Sequence, residues 1–217
     1  MNTIDRPVPP RLPDPPPAGV NPNFFMSFSN ALRLYFNRLN GVVNLITGTN
    51  GAAELQAPHA MLMSDQDQAN AGITVANNLK FDTPVILQGI EVRGTNNTEI
   101  WFDKPGQYLV SFSLQVTNRS NADQVFEVWA GFNGSNYPLS NTRYDIPPRK
   151  SSTVWAHIVP AVTGIFTVSD PTNDYLTIKW WASSTDVFLE HYAAQTSPTR
   201  PEIPSIIMTI NFVSRLP

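Results

Sequence analysis

The pattern of hydrophobic and polar residues changes its period along the chain. Between residues 22 and 47, apolar residues recur at alternating steps of three and four, at Phe25, Phe28, Leu32, Tyr35, Leu39, Val42 and Ile46. This is the a/d spacing of a coiled coil, so the segment predicts one amphipathic helix. A helix packed on its own domain is the alternative. The apolar surface of this helix is wider than one short helix can bury by itself, which favours association of several copies.

From residue 58 onwards the period becomes two. The segment 107–116 alternates apolar residues with Gln and Ser, as half-buried antiparallel strands do. Similar patterns occur at 126–132, 154–158, 176–180, 188–192 and 206–212, with shorter candidates at 60–64, 73–76, 85–87, 90–93 and 99–102. About ten short strands separated by turn residues predict an antiparallel sandwich or barrel over residues 58–217.

Proline is concentrated before the helix. Eight of the 20 prolines lie in the first 22 residues, so residues 1–21 are expected to be extended rather than helical or sheet-forming. One interpretation is a disordered tail. The other is an arm that docks on a partner. The residues expected to carry docking are Arg6, Pro9, Pro10, Arg11, Pro13, Pro15, Pro16 and Pro17. Residues 48–57 are expected to form a linker.

Composition narrows the class of function. The chain has 217 residues, no cysteine, a net charge of -3 and only 14% charged residues, against about 25% in an ordinary domain. We therefore expect no nucleic-acid binding, no disulfide and no thiolate metal site. No apolar run approaches the ~18 residues of a membrane span, and the first residues do not resemble a signal peptide. The expectation is a protein made in the cytoplasm.

Catalytic and metal-binding patterns are weak. The three histidines, His59, His157 and His191, have no spacing that places two on one face as metal ligands. Glu190 and His191 are adjacent on a predicted strand and point to opposite faces, so they do not predict a dyad. We expect neither a catalytic site nor a metal or other cofactor, and the chain is not predicted to be an enzyme.

Aromatic residues in the predicted strands have three possible locations: the core, an interface between copies, or a surface that stacks on sugar rings. The adjacent pair Trp180 and Trp181 must split between the two faces of one strand. One of them therefore needs cover on the second face, and a neighbouring subunit would supply it. The residues predicted to lie at an interface between β domains are Trp155, Trp180, Trp181 and Tyr192.

The β segment resembles the C1q/TNF-like jelly roll. The similarity is carried by residues 100–112, which include the Gly-x-Tyr of Gly106 and Tyr108, by residues 151–155, and by the closing strand at 203–212. Asn173-Asp174 stands where that family usually has a Gly-Asp turn. The resemblance implies a mainly β, antiparallel jelly-roll sandwich, preceded here by a proline-rich extended arm and one short coiled-coil helix.

The N-terminal organisation is similar to that of minor virion proteins of tailed bacteriophages, including those of cyanobacterial and marine phages. A proline-rich start, the helical segment 31–40 and a small β domain follow one another as in such proteins. The resemblance implies a homotrimeric head fibre or capsid decoration protein, located in the virion, whose residues 1–21 contact a capsid, neck or tail protein. One alternative is a tail fibre whose β domain binds a host glycan. A second is a secreted C1q-like ligand.

Overall fold

The computed structural model describes residues 22–47 and 57–216. The chain divides into two compact units, Met1–Gln56 and Ala57–Pro217. The predicted docking arm, from Arg6 to Pro17, and most of the predicted linker lie outside the described residues.

The first unit contains one helix, α1 (Pro22–Thr47), which covers the segment with the heptad pattern. Proline suits the first helical position because its missing N–H needs no partner there. In the sequence, Gly48 follows the last helical residue, and glycine commonly ends a helix.

The second unit is mainly β, as predicted, and its strands pair antiparallel throughout. Strands β1 to β9 span His59–Ser64, Gln68–Ala69, Asn77–Asn78, Thr83–Gln88, Ile90–Arg93, Glu99–Phe102, Gly106–Leu114, Val116–Asn118 and Gln124–Phe132. Strands β10 to β18 span Ser135–Asn136, Thr142–Ile146, Ala156–Ile158, Ala161–Val168, Tyr175–Ala182, Val187–Leu189, Gln195–Thr196, Thr199–Arg200 and Ile206–Ser214.

Two large sheets form the body of this unit. The five-stranded sheet has the order β13-β7-β18-β1-β4. The seven-stranded sheet has the order β10-β9-β14-β6-β5, with β11 also paired to β9 and β3 to β14. Smaller sheets are formed by β12-β8-β15-β2 and by β16-β17. The first and last long strands, β1 and β18, are direct neighbours, with Ala60 opposite Ile210.

Side chains from both large sheets share one hydrophobic core, consistent with a β-sandwich. The largest fully buried side chains include Trp180 and Phe126 from the seven-stranded sheet and Tyr108 from the five-stranded sheet. Trp180 stacks on Phe126 with ring centroids 5.8 Å apart. From Ile178 to Ala182 the burial along β14 alternates, so Trp180 points inwards and Trp181 outwards, as the period of two requires.

The strand predictions need several corrections. The strand predicted at 188–192 ends at Leu189, and the two-residue strands β2, β3, β10, β16 and β17 are not among those predicted. Residues 73–76 were expected to be a strand, but they form a turn closed by the hydrogen bond from the Val75 N–H to the Gly72 carbonyl, 3.2 Å. Strands β11 and β13 were not predicted. In β13, Gly164 takes an inner position and Ile165 an exposed outer one, so the strand lacks the usual contrast between an apolar and a polar face.

Candidate interaction surfaces

The helix α1 presents its apolar side chains at the surface of its unit. Five of the predicted seam residues, Phe28, Leu32, Tyr35, Leu39 and Val42, are half-buried, and Phe25 is exposed. Ile46 belongs to the helix, but its side chain lies outside the described residues. Off the seam, Met26, Leu34 and Phe36 each expose more than half of their surface. No side chain between 23 and 44 is fully buried.

The outer face of the five-stranded sheet is defined here as the charge-free face. Its members alternate along the strands with buried core residues: Met61, Met63, Leu109, Ser111, Ser113, Thr163, Ile165, Ile207, Thr209 and Asn211. None of the five strands of this sheet contains Asp, Glu, Lys or Arg. At one edge, β4 exposes Val85, Ile86 and Leu87 by 53%, 45% and 45%. An outer sheet face without charge is unusual, since exposed faces are normally polar and charged.

The outer face of the seven-stranded sheet has the opposite character and is called the aromatic face. Its outward residues include the charged side chains of Glu91, Arg93, Glu99, Glu127, Arg143, Asp145 and Lys179, and the aromatic side chains of Trp101, Trp129, Tyr175 and Trp181. Trp101 stacks on Tyr175 at 5.1 Å, and the Arg93 guanidinium lies 5.1 Å from the Trp101 ring centroid. The two outer faces therefore differ sharply in charge.

Each of the predicted interface aromatics has a different environment. Trp180 is fully buried, so its assignment to an interface between copies is wrong: it points from the inner face of β14 into the core of its own domain, where it stacks on Phe126. Trp181 is half-buried on the aromatic face, and its indole N–H donates to the Ile73 carbonyl at 2.7 Å. Trp155 is half-buried under the Arg119 guanidinium, which lies 4.1 Å from the Trp155 ring and 3.9 Å from that of Phe188.

The fourth, Tyr192, belongs to a polar cluster that sequence reasoning missed. The hydroxyls of Thr117 and Tyr192 both donate to Oε2 of Glu190, at 2.5 Å and 2.8 Å. Nδ1 of His157 lies 2.8 Å from the Thr117 hydroxyl and 3.7 Å from the same carboxylate oxygen. Burial and the bond to Glu190 raise the pKa of Tyr192 to about 12. The cluster joins β8, β12 and the segment after β15.

No local signal points to this cluster, because its members come from three separate segments. Strand pairing places Thr117 opposite His157, and the inward turn of Glu190 leaves it almost fully buried. Its neighbour His191 faces elsewhere, as expected, and its ring lies 3.4 Å from Glu202. The arrangement satisfies a buried carboxylate with two hydroxyl donors and ties three strands together.

A second buried carboxylate stabilises the turn before β14. Asp174 accepts hydrogen bonds from the backbone N–H groups of Ser169 and Asp170, at 2.7 Å and 2.8 Å, and from the Asn133 amide at 2.8 Å. Burial opposes ionisation of Asp174, but the bonds from Asp170, Asn133 and Ser169 outweigh it and hold its pKa below the ordinary value. Asp174 is therefore a structural carboxylate of this turn.

Within the described parts of the chain, no three His, Cys, Asp or Glu side chains come together as metal ligands. Among the same residues, no helix has the length and apolar character needed to cross a membrane. No protein-family model matches the chain, and no curated protein matches it. Its function is therefore inferred from its surfaces.

Proposed function

We propose that the protein is a structural component of a bacteriophage virion: a homotrimeric head fibre or capsid decoration protein, anchored through residues 1–21 and carrying the β domain as a knob. The observation that supports this most strongly is the charge-free face. It is a large, solvent-facing sheet surface in a protein whose other large sheet carries seven charged side chains on its outer face. Depletion of charge is the compositional mark of an interface core.

The strand pairing supports a jelly roll of the C1q/TNF type. Numbering the eight main strands β1, β6, β7, β9, β11, β13, β14 and β18 from one to eight, the pairs are one with eight, two with seven, three with six, and four with five. This nesting is that of one long antiparallel ribbon rolled into two sheets. Strands three and eight also pair, as do four and seven, which gives each sheet four of these eight strands. Strands β4, β5, β3 and β10 are additions to this framework.

Contact between identical copies explains the composition of this surface. The face is made of uncharged residues such as Ser111, Thr209 and Met61, which a second copy can contact without burying an unpaired charge. The exposed apolar edge strand β4 would favour uncontrolled pairing if it stayed open. Covering it in a closed assembly removes that liability.

The helix supports the same assembly. Its apolar stripe has half-buried and exposed Phe, Leu and Tyr side chains at heptad spacing, and no Asp or Glu occurs between residues 22 and 47. Packing several copies around the Phe28, Leu32, Tyr35 and Leu39 seam buries this surface. Self-association of each unit would give a particle component that needs no reactive site.

The oligomer is tested by light scattering of the purified full chain and of two charge variants. Thr209→Glu places a carboxylate at the centre of the charge-free face, where each copy in a closed assembly would bury an unpaired charge at a cost of several kcal/mol. Ser135→Glu adds the same charge at an exposed position of β10. The wild type and Ser135→Glu are expected to have three times the chain mass, and Thr209→Glu to dissociate on dilution. A monomeric wild type at micromolar concentration refutes the trimer.

The virion assignment is tested on purified phage particles carrying the gene for this chain. Electron microscopy with a labelled chain should locate it at regular positions on the head, neck or tail. Deletion of residues 1–20 should abolish attachment and leave the trimer intact. A chain that is missing from purified particles refutes the virion role, and unchanged incorporation of the truncated chain refutes the docking arm.

A further inference from the structure

The aromatic face contains a small depression centred on Trp129. It is lined by Glu127, Trp129, Asn136, Tyr137, Leu139 and Asn141, with a volume of about 260 Å³. It lies on the outer face of β9 and under the loop that follows β10. We propose that this Trp129 depression is a binding site for a neutral saccharide. The proposal goes beyond the virion role and does not depend on it.

The walls of the depression are ordered before any ligand arrives. The Trp129 indole N–H donates to Oδ1 of Asn136 at 3.0 Å, and the Lys179 ammonium donates to the same oxygen at 3.3 Å. On the other side of the indole, the Asn141 amide donates to Oε2 of Glu127 at 2.9 Å. A site whose side chains are already held in place loses little conformational entropy on binding.

Several hydrogen-bonding groups around the Trp129 indole have no partner. Among the contacts of the described residues, the Asn136 amide nitrogen, the Asn141 amide oxygen and Oε1 of Glu127 have no hydrogen-bond partner. Asn136, Tyr137 and Asn141 are exposed, so these groups remain open to a ligand. The site therefore offers one donor and two acceptors next to an aromatic ring.

This combination matches the chemistry of a sugar ring. A pyranose has a face of C–H groups that packs on an aromatic surface, and a rim of hydroxyls that each donate and accept a hydrogen bond. The Glu127 carboxylate and the Lys179 ammonium balance in charge, which favours a neutral ligand over a phosphate or a polyanion. A volume of about 260 Å³ suits one or two sugar units. A longer chain would extend over the exposed Tyr137 and Leu139.

The aromatic face stays accessible in the proposed assembly. The trimer contact is assigned to the outer face of the five-stranded sheet, whereas Glu127 and Trp129 lie on the outer face of the seven-stranded sheet. Tyr137 and Leu139 lie at the edge between the two sheets, where they also border Thr163 and Ile165. Three copies of the site on one particle appendage would raise the apparent affinity for a polymeric glycan well above that of a single site.

The test uses the purified full chain. Saturation-transfer NMR with glucose, galactose, mannose and N-acetylglucosamine, together with an array of bacterial surface glycan fragments, should identify at least one saccharide with a single-site Kd of ~1 mM. Trp129→Ala is expected to weaken binding at least tenfold, since it removes the stacking surface. Asn141→Ala, at an exposed position, is expected to weaken it about fivefold and to leave the fold intact.

The matched control is Trp101→Phe. Trp101 lies on the same face, and its indole N–H is held by Glu99 at 3.1 Å much as Asn136 holds Trp129, but it is not part of the depression. Binding to this variant should stay within about twofold of the wild type. The proposal is overturned if no saccharide of the panel or array binds, or if Trp129→Ala and Asn141→Ala bind as tightly as Trp101→Phe. Circular dichroism checks that each variant is folded.

Discussion

Replacing Tyr108 with phenylalanine should change how the stability of the β domain depends on pH. Tyr108 is fully buried at the start of β7, between Phe102 and Phe212, with ring centroids 4.5 Å and 5.4 Å away. Its hydroxyl donates to the Lys104 carbonyl at 2.7 Å. Burial, together with the nearby negative charge of Asp103, raises the pKa of Tyr108 from 10.0 to about 12. Phenylalanine keeps the ring and removes both the hydrogen bond and the ionisable group.

At high pH, the hydrogen bond of the Tyr108 hydroxyl and the raised pKa of that hydroxyl act on the stability of the folded state in opposite directions. Loss of the hydrogen bond to Lys104 should cost about 1 kcal/mol of unfolding free energy near neutral pH. A folded-state pKa above the unfolded one gives stability that is complete below pH 10 and is lost as the pH rises through about 12. With a shift of two pH units, the loss at pH 11 is about 1.4 kcal/mol relative to pH 8. The wild type should therefore lose its advantage over Tyr108→Phe near pH 11.

The assay is urea unfolding of both proteins between pH 8 and 11.5, followed by circular dichroism. We expect the unfolding free energy of the wild type to exceed that of Tyr108→Phe by about 1 kcal/mol at pH 8, and this difference to disappear near pH 11. Tyr192→Phe serves as a comparison, since the pKa of Tyr192 is also raised to about 12, by burial and by Glu190. The stability difference between the wild type and Tyr192→Phe should also decrease at high pH, but by less, because solvent reaches Tyr192. A gap between wild type and Tyr108→Phe that stays constant with pH refutes this reasoning.

Two further predictions concern the buried carboxylates. Asp174→Asn should lower the unfolding free energy by about 1–3 kcal/mol at pH 7. Because the pKa of Asp174 is lowered in the folded state, this loss of stability should decrease as the pH falls below the ordinary value of 3.8, which acid-unfolding titrations measure. Glu190→Ala leaves the Tyr192 hydroxyl without its acceptor and should cost about 2–4 kcal/mol in urea unfolding, whereas Glu202→Gln, at an exposed site, should change stability by less than about 0.5 kcal/mol.

Either result can be contradicted directly. A penalty for Asp174→Asn that does not depend on pH means that its carboxylate is not the acceptor that stabilises the turn before β14. Equal stability losses for Glu190→Ala and Glu202→Gln mean that the cluster around Glu190 does not join its strands. The melting temperature of each variant gives an independent check on the ranking.

The alternation of side chains made the β class predictable. In residues 107–116, Tyr108, Val110 and Phe112 lie on one face and are buried, as the alternation predicts. The structure has β7 and the start of β8 there. The same local rule failed for β13, where Gly164 lies inward and Ile165 outward. That strand forms because its backbone pairs with β7 over eight residues, and such pairing depends on a partner far away in the chain.

The motif Gly-x-Tyr was visible in the sequence, but its physical reason was not. Gly106 has no room for a side chain, since a Cβ there would lie 2.6 Å from the Ser214 carbonyl oxygen and closer still to the Phe212 ring. Tyr108, two residues later, packs against the same Phe212. Both contacts bring the start of β7 against the end of β18, a neighbour more than a hundred residues away, which sequence spacing cannot reveal.

By itself, the sequence determined three properties of this protein: a helical segment with apolar residues at heptad spacing, a β segment with period two, and a low fraction of charged residues. The first two depend on residues close together in the chain, and the third on composition alone. Only the tertiary structure decided how the charge is distributed, with none in the strands of one large sheet and seven charged side chains on the outer face of the other. Strand order also placed Trp180 in the core and gathered Glu190 with His157. These arrangements come from long-range pairing, where residues distant in sequence become neighbours.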